Sequence, residues 1–273
     1  MRPRLHLPMR FVAVAVLASL PAIACLPVQR PATAPEGLAE PLEVSFQGNR
    51  SLRIKDYMEA NSTLRQVYKA LPERTLYCGC PFDPMRKRAP IQGCSYSSGD
   101  DQDTYYKVHW EHVVPAARLG RNRQCWIGHP CKRKDGKPYG GRSCCRKIDP
   151  MFRAMEADMH NLRPAIGDIN IRRQDYSFGE IPGEKREFGR CDMEISSETD
   201  TAEPAPEIRG IIARTYLYMN DAYELQLRPE EIRLFLTWHR KYPPNSLERE
   251  RDTLIRKLQG NSNPYIHGYG LDR

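Results

Sequence analysis

Eight cysteines that mature under oxidising conditions constrain this chain more than any other feature. They are Cys78, Cys80, Cys94, Cys125, Cys131, Cys144, Cys145 and Cys191. The compartment follows from the first residues. Arg2, Arg4 and Arg10 precede an uncharged apolar run from Phe11 to Leu20, and Pro21-Ala22-Ile23-Ala24 places small residues at a cleavage site. This pattern is that of a signal peptide, residues 1–24. The apolar run falls short of the roughly 20 residues that a membrane-spanning helix requires. In an exported chain thiols pair, and an even number suits up to four disulfides whose partners the sequence does not assign.

The ninth cysteine, Cys25, directly follows Ala22-Ile23-Ala24, as in a bacterial lipoprotein box where the cysteine is acylated. The plainer alternative is cleavage after Ala24 or slightly later, with Cys25 idle. Four prolines between Leu26 and Pro41 suit a tether over residues 25–45. The expected location is the periplasm or the outside of the cell, with an outer-membrane lipoprotein as the anchored form.

Charge points to the class of partner. The chain carries +8, and removing the three leader arginines from 42 basic residues leaves 39 against 34 acidic ones, about +5. Between Arg118 and Lys147, however, Arg118, Arg121, Arg123, Lys132, Arg133, Lys134, Lys137, Arg142, Arg146 and Lys147 face a single acid, Asp135. Such a local excess favours a polyanion, although a charge run is also what a merely solvated loop looks like.

Residues 46–273 are enough for one domain. Ser51 to Leu71 reads as a helix with Ile54, Met58, Leu64, Val67, Tyr68 and Leu71 on one face. Tyr77 to Cys145 holds seven of the eight mature cysteines and reads as stapled loops around a strand from Tyr105 to Val114. Asp149-Pro150 is a helix start. Further helices are expected over Ile208 to Tyr223, from Pro229 with Ile232, Phe235 and Leu236 inward, and after a cap at Asn245 or Ser246 with Leu247, Leu254, Ile255 and Leu258 as the apolar stripe. The fold class is α+β: one mainly helical domain with a small irregular β element.

Chemistry concentrates in His109-Trp110-Glu111-His112-Val113-Val114-Pro115-Ala116. A carboxylate beside an imidazole offers a hard oxygen ligand and a general base, although the pair alone is weak evidence. A second cluster runs from Glu156-Ala157-Asp158-Met159-His160-Asn161 through Leu162-Arg163-Pro164-Ala165-Ile166-Gly167-Asp168-Ile169-Asn170. With these two motifs, Gly140-Gly141-Arg142-Ser143-Cys144-Cys145, Ala213 to Met219 and Gln259-Gly260-Asn261, the chain resembles the endonuclease I family over about Leu76 to Ile266.

The resemblance implies a disulfide-stapled ββα-metal (His-Me finger) nuclease that cuts DNA, and RNA as well, with little sequence preference. It implies Glu111 and Asn161 as metal ligands and His112 as general base, with Mg²⁺ as the ion and Ca²⁺ or Mn²⁺ as alternatives. Two oxygen ligands completed by water suit magnesium. His112 would deprotonate the attacking water and leave a 5′-phosphate, with activity falling below about pH 6.5, the ordinary histidine value. The resemblance also implies an arginine against the scissile phosphate, but the Cys125–Cys131 loop contains none. Arg142 takes that place in the expected catalytic set, with Arg123 and Arg163 as substitutes. Arg118, Arg121, Arg123, Lys132 and Arg163 are the expected nucleic-acid contacts. His109 and His160 read as supporting groups, and zinc on Cys78-Gly79-Cys80 or Cys144-Cys145 is disfavoured in an oxidised chain. No protein partner and no assembly beyond a monomer is called for. The competing readings are an exported basic protein that binds nucleic acid without cutting it, and a nuclease restricted to RNA.

Overall fold

The computed structural model describes residues 53–72, 74–97, 104–183 and 185–270. The leader, Cys25 and the proline-rich stretch to residue 45 lie outside the described residues. Asp56 accepts from the backbone N–H groups of Met58 and Glu59 and so starts α1 (Tyr57–Ala70). The helix is shorter than its apolar spacing predicts, and Met58, expected inside, is 70 % exposed. Leu64, Val67 and Tyr68 form its buried face.

A short strand, β1 (Arg88–Pro90), leads to β2 (Tyr105–His112), the predicted aromatic strand. The stapled region follows as α2 (Ala116–Gly120), α3 (Gln124–Ile127), β3 (Cys131–Lys132), β4 (Pro138–Tyr139) and α4 (Gly141–Ile148). Asp149 then caps α5 (Pro150–Ala157) by accepting from Phe152 N–H, as its Asp-Pro start predicts. A 3₁₀ turn at Met159–Asn161 feeds β5 (Leu162–Ile166), and α6 (Gly167–Arg173) begins at once.

The remaining strands, β6 (Ser177–Phe178), β7 (Met193–Ser196) and β8 (Thr201–Pro204), make a second small sheet. Four helices close the domain: α7 (Pro206–Tyr223), α8 (Pro229–Lys241), α9 (Ser246–Gln259) and α10 (Pro264–His267). The result is an α+β domain, mainly helical, as the sequence predicts.

The site depends on the antiparallel sheet β1-β2-β5 and the helix behind it. Glu111 lies opposite Arg163, and His112 opposite Leu162. Exposure alternates only in the first part of β2. Trp110, Glu111 and His112 are all buried because helices cover both faces of that end. On one side Trp110 donates to Asn61 of α1 at 2.7 Å and packs on Tyr68. On the other side α6 lies so close that a Cβ at Gly167 would sit 3.0 Å from the His109 ring and 3.2 Å from the Lys107 carbonyl oxygen.

The last long helix corrects an expectation. Asn245 caps it as predicted, accepting from Glu248 N–H at 2.8 Å. Its buried face, however, is Glu248, Arg251, Asp252, Ile255 and Gln259, whereas Leu258 is 42 % exposed and Leu247 and Leu254 are only half-buried. Each buried polar group has found a partner, which is the condition for placing it inside. Glu248 takes a two-pronged ion pair from Arg214 of α7 at 2.8 and 2.6 Å. Arg251 donates to the carbonyls of Met159 and Leu162 at 2.7 and 2.6 Å and to the Tyr68 hydroxyl at 2.7 Å. Gln259 donates to Asp158, which also accepts from the hydroxyls of Tyr218 and Tyr223. This polar core fixes the turn from which β5 starts.

All eight cysteines pair, as Cys78–Cys191, Cys80–Cys94, Cys125–Cys145 and Cys131–Cys144. No thiol of Cys78-Gly79-Cys80 or Cys144-Cys145 is left for zinc.

Arg251→Met should destabilise the oxidised protein by about 3 kcal/mol or more, since two buried carbonyls and a hydroxyl lose a donor at roughly 1–3 kcal/mol each. Urea unfolding with intact disulfides reads the change. A loss below about 1 kcal/mol would show that the polar core does not hold the turn.

Candidate active site

The end of β2, the start of α2 and the last turn of α6 enclose an open cleft of about 580 Å³ that Glu111, His112, Asn170, Arg173 and Arg142 share. Glu111 is 3 % exposed and stands on β2 facing α6. Its carboxylate accepts from the Tyr77 hydroxyl at 2.6 Å, from Arg173 at 3.0 Å and from the Asn170 side chain. Burial pushes the carboxyl up from its ordinary value, and the opposing pull of Arg173 and of these hydrogen bonds does not fully cancel it.

Arg173 is 1 % exposed, and one end of its guanidinium also binds the His112 carbonyl at 3.1 Å while the other binds the Val113 carbonyl at 2.8 Å. Its plane lies over Phe178, 4.5 Å from the ring centre. Asn170 and Arg173 are three residues apart on one helix, so both meet β2 from the same face.

His112 completes the group. Its Nε2 lies 2.9 Å from the Glu156 carbonyl oxygen. A carbonyl can only accept, so Nε2 carries the proton and Nδ1 is the basic nitrogen. Burial, then the nearby Arg142, lowers its pKa to about 4. Tyr57 stacks on the imidazole at 5.5 Å.

Behind His112, the Glu156 side chain is 1 % exposed and accepts from Nε of both Arg142 and Arg146, the latter at 2.6 Å. Burial works against its charge, but the two arginines hold the carboxyl below its ordinary value. Arg142 and Arg146 stay 41 % exposed and lie over the Tyr57 ring at 5.9 and 5.3 Å. One residue thus orients the imidazole through its backbone and two cations through its side chain.

The expected ligand Asn161 is not in this group. It is fully buried and acts as a piece of substitute strand. Its amide donates to the Val114 carbonyl at 2.9 Å, its carbonyl oxygen accepts from Val114 N–H at 2.7 Å, and its backbone oxygen accepts from Val113 N–H at 3.0 Å. The β2–β5 pairing therefore continues past His112 through a side chain. The amide side chain that does stand beside Glu111 is Asn170, which also lines the cleft.

Other expected contacts also move. Arg118, 9 % exposed, pairs with Glu231 of α8 through two 2.6 Å bonds, so it is part of the interior. Arg123 is held by Asp149 at 2.9 Å. Arg163 is 2 % exposed and lines a separate cavity of about 440 Å³ with Leu76 and Tyr77. Arg142 does face the cleft, and Arg121 and Lys132 are exposed. His109 lines the cleft and burial lowers its pKa, while His160 is buried with Nε2 3.1 Å from the Asn261 carbonyl oxygen.

Tyr57, Tyr77, Glu156 and Arg173 went unread as site residues. For Asn170 and Arg173 the available signal was a three-residue spacing on a helix that directly follows the second strand. Tyr57 and Tyr77 carry no such signal.

A buried carboxylate with a side-chain amide beside it, in an open cleft, fits a hard divalent cation that keeps most of its water. Among the described residues no cluster of three or more His, Cys, Asp or Glu side chains forms an all-protein cage.

The endonuclease I family model matches residues 53–268. An extracellular deoxyribonuclease of Aeromonas hydrophila is 38 % identical over 216 residues, 78 % of this chain and 88 % of that protein. An endonuclease-1 of Buchnera aphidicola is 33 % identical over 216 residues, 78 % and 81 % of the two chains. An extracellular ribonuclease of Bacillus amyloliquefaciens is 28 % identical over 131 residues, 40 % and 43 %. The chain belongs to the endonuclease I family and is an endonuclease.

Proposed function

We propose that this endonuclease is metal-dependent, acts in the periplasm or outside the cell, and hydrolyses phosphodiester bonds of DNA without sequence preference, leaving 5′-phosphates. The observation that carries this reading is the convergence of Glu111, Asn170 and the base nitrogen of His112 on one cleft. Relatives bear the names extracellular and periplasmic deoxyribonuclease, in keeping with an export leader and four disulfides. RNA is included as a substrate because phosphate contacts carry no sugar information, and one relative is named a ribonuclease.

Glu111 and Asn170 would hold the cation, with Mg²⁺ favoured by the oxygen donors and Mn²⁺ or Ca²⁺ sharing that preference. When bound, it would stabilise charge developing at phosphorus and on the leaving oxygen. His112 Nδ1 takes the proton from a water that attacks phosphorus, the bond to the 3′-oxygen breaks, and the phosphate stays on the 5′ side. Glu156 keeps Nε2–H engaged, so the proton can arrive only at Nδ1. Arg142, gripped at Nε by Glu156 on the cleft wall, would offer its terminal NH₂ groups to the scissile phosphate. A binder without catalysis has no use for a neutral imidazole oriented in this way.

The pH profile follows from His112. The neutral imidazole is the base, and a pKa lowered to about 4 means that the base form persists to lower pH. At pH 5.5 an ordinary histidine would be about nine-tenths protonated, whereas His112 stays almost wholly neutral. With saturating magnesium, plasmid cleavage should therefore hold from pH 7 to 5.5 and fall near pH 4. An acid limb centred near 6.5 would contradict the buried, backbone-bonded His112.

Two asparagines separate architecture from chemistry. Asn170→Ala should lower kcat/KM by about 10²-fold or more while costing only about 1 kcal/mol of stability, since the residue is half-buried and Glu111 keeps its bonds from Tyr77 and Arg173. Asn161→Ala leaves Val114 N–H and C=O buried without partners and should cost about 2–4 kcal/mol of stability. The assignment fails if Asn170→Ala cuts plasmid at the wild-type rate.

A further inference from the structure

Two groups stand out within the basic run from Arg118 to Lys147. Arg118, Arg123, Arg142 and Arg146 are engaged by Glu231, Asp149 and Glu156. The other group is carried by the β3–β4 hairpin, where Lys132, Arg133 and Lys134 are all exposed. Among the described residues none of these three pairs with an acid, and Asp135, the hairpin's only acid, faces Lys137 at 3.5 Å.

This hairpin is built to hold its shape. Cys131 pairs with Tyr139 in register, Arg133 N–H donates to the Lys137 carbonyl at 2.9 Å, and Gly136 N–H donates to the Arg133 carbonyl at 3.0 Å. Lys137 N–H donates to the Asp135 side chain, and Gly136 takes the left-handed φ of +80° that the turn needs. Arg133 lies over Tyr139, 5.5 Å from the ring centre. A charged loop with its backbone bonds satisfied internally loses little freedom on binding.

The hairpin's position points to its partner. Its second strand runs through Gly140 and Gly141 straight to Arg142 on the cleft wall. Its base abuts Trp126, another cleft residue, so closely that a Cβ at Gly140 would fall 2.3 Å from the Trp126 carbonyl oxygen. The Cys131–Cys144 disulfide ties its first strand to α4, which carries Arg142. At about 3.3 Å per residue, the turn reaches roughly 10 Å beyond Tyr139, so the hairpin projects from the wall that carries Arg142.

We propose that Lys132, Arg133 and Lys134 form a second contact for the substrate, gripping phosphates of the duplex outside the cleft. The proposal rests on the nuclease reading for its substrate, but its measurement does not require cutting. The contact sets affinity and its salt dependence, while the chemistry stays with the cleft.

The test compares wild type, the triple variant Lys132→Ala/Arg133→Ala/Lys134→Ala and the charge-keeping pair Lys132→Arg/Lys134→Arg, all in chelator. Fluorescence anisotropy with a labelled duplex of about 20 base pairs gives log Kd against log [KCl]. Each lost phosphate contact removes about 0.9 from the slope, so the triple variant should be shallower by about 2.7 and the arginine pair unchanged. Its kcat on saturating plasmid with magnesium should equal wild type. A triple-variant slope within about 0.5 of wild type would overturn the proposal, as would loss of binding to phosphatidylserine vesicles in place of loss of duplex binding. Wild-type protein that binds the duplex with the steep slope but cannot cut it would sink the nuclease reading and leave the hairpin contact standing.

Discussion

The buried guanidinium of Arg173 is the constraint around which the rest is arranged. It bonds the Glu111 carboxylate and the carbonyls of His112 and Val113 at once, so it locks α6 against the end of β2. A charge this deep is tolerated when it is paired, and removing Glu111 or Arg173 would leave the other uncompensated. The same contact aims Glu111, keeps its charge opposed, and brings Asn170, one helical turn away, to the same wall of the cleft. The position of the candidate cation site is thus a by-product of how one arginine is satisfied.

Two further layers of polar bonding serve that geometry. Asn161 carries the β2–β5 pairing past His112, so the peptide after the imidazole cannot drift. Farther out, Arg251, Gln259 and Asp158 fix the 3₁₀ turn from which β5 departs. Glu156 ties the imidazole to Arg142 and Arg146 and so couples the base to the cations at the rim. The disulfides Cys125–Cys145 and Cys131–Cys144 hold the loops bearing those cations where a core of this size would not.

Much of this was legible in the sequence where the signal is local. The Asp149-Pro150 start, the Asn245 cap, the aromatic strand ending at Glu111-His112 and the pairing of every mature cysteine all follow from short-range chemistry. What the sequence hides is which polar groups find each other in space. Of the stripe Leu247, Leu254, Ile255 and Leu258 only Ile255 is core, because partners from α7 and the 3₁₀ turn made Glu248, Arg251 and Gln259 the rest of the buried face. Arg118 and Arg123 looked like phosphate contacts until Glu231 and Asp149, distant or merely incidental in the chain, proved to hold them. Asn161 and Asn170 sit in one motif and share one chemistry. Only the direction each side chain takes, into the strand pairing or toward Glu111, separates them.

The central claim is that Glu111 and Asn170, posed by Arg173, make the cation site, and an anomalous difference map from crystals soaked in manganese tests it most directly. The account predicts one strong peak in the cleft within bonding distance of a Glu111 carboxylate oxygen and the Asn170 side-chain oxygen, with Asn161 still bonded to Val114. A peak at Asn161, or one that leaves Asn170 outside the coordination shell, would contradict it.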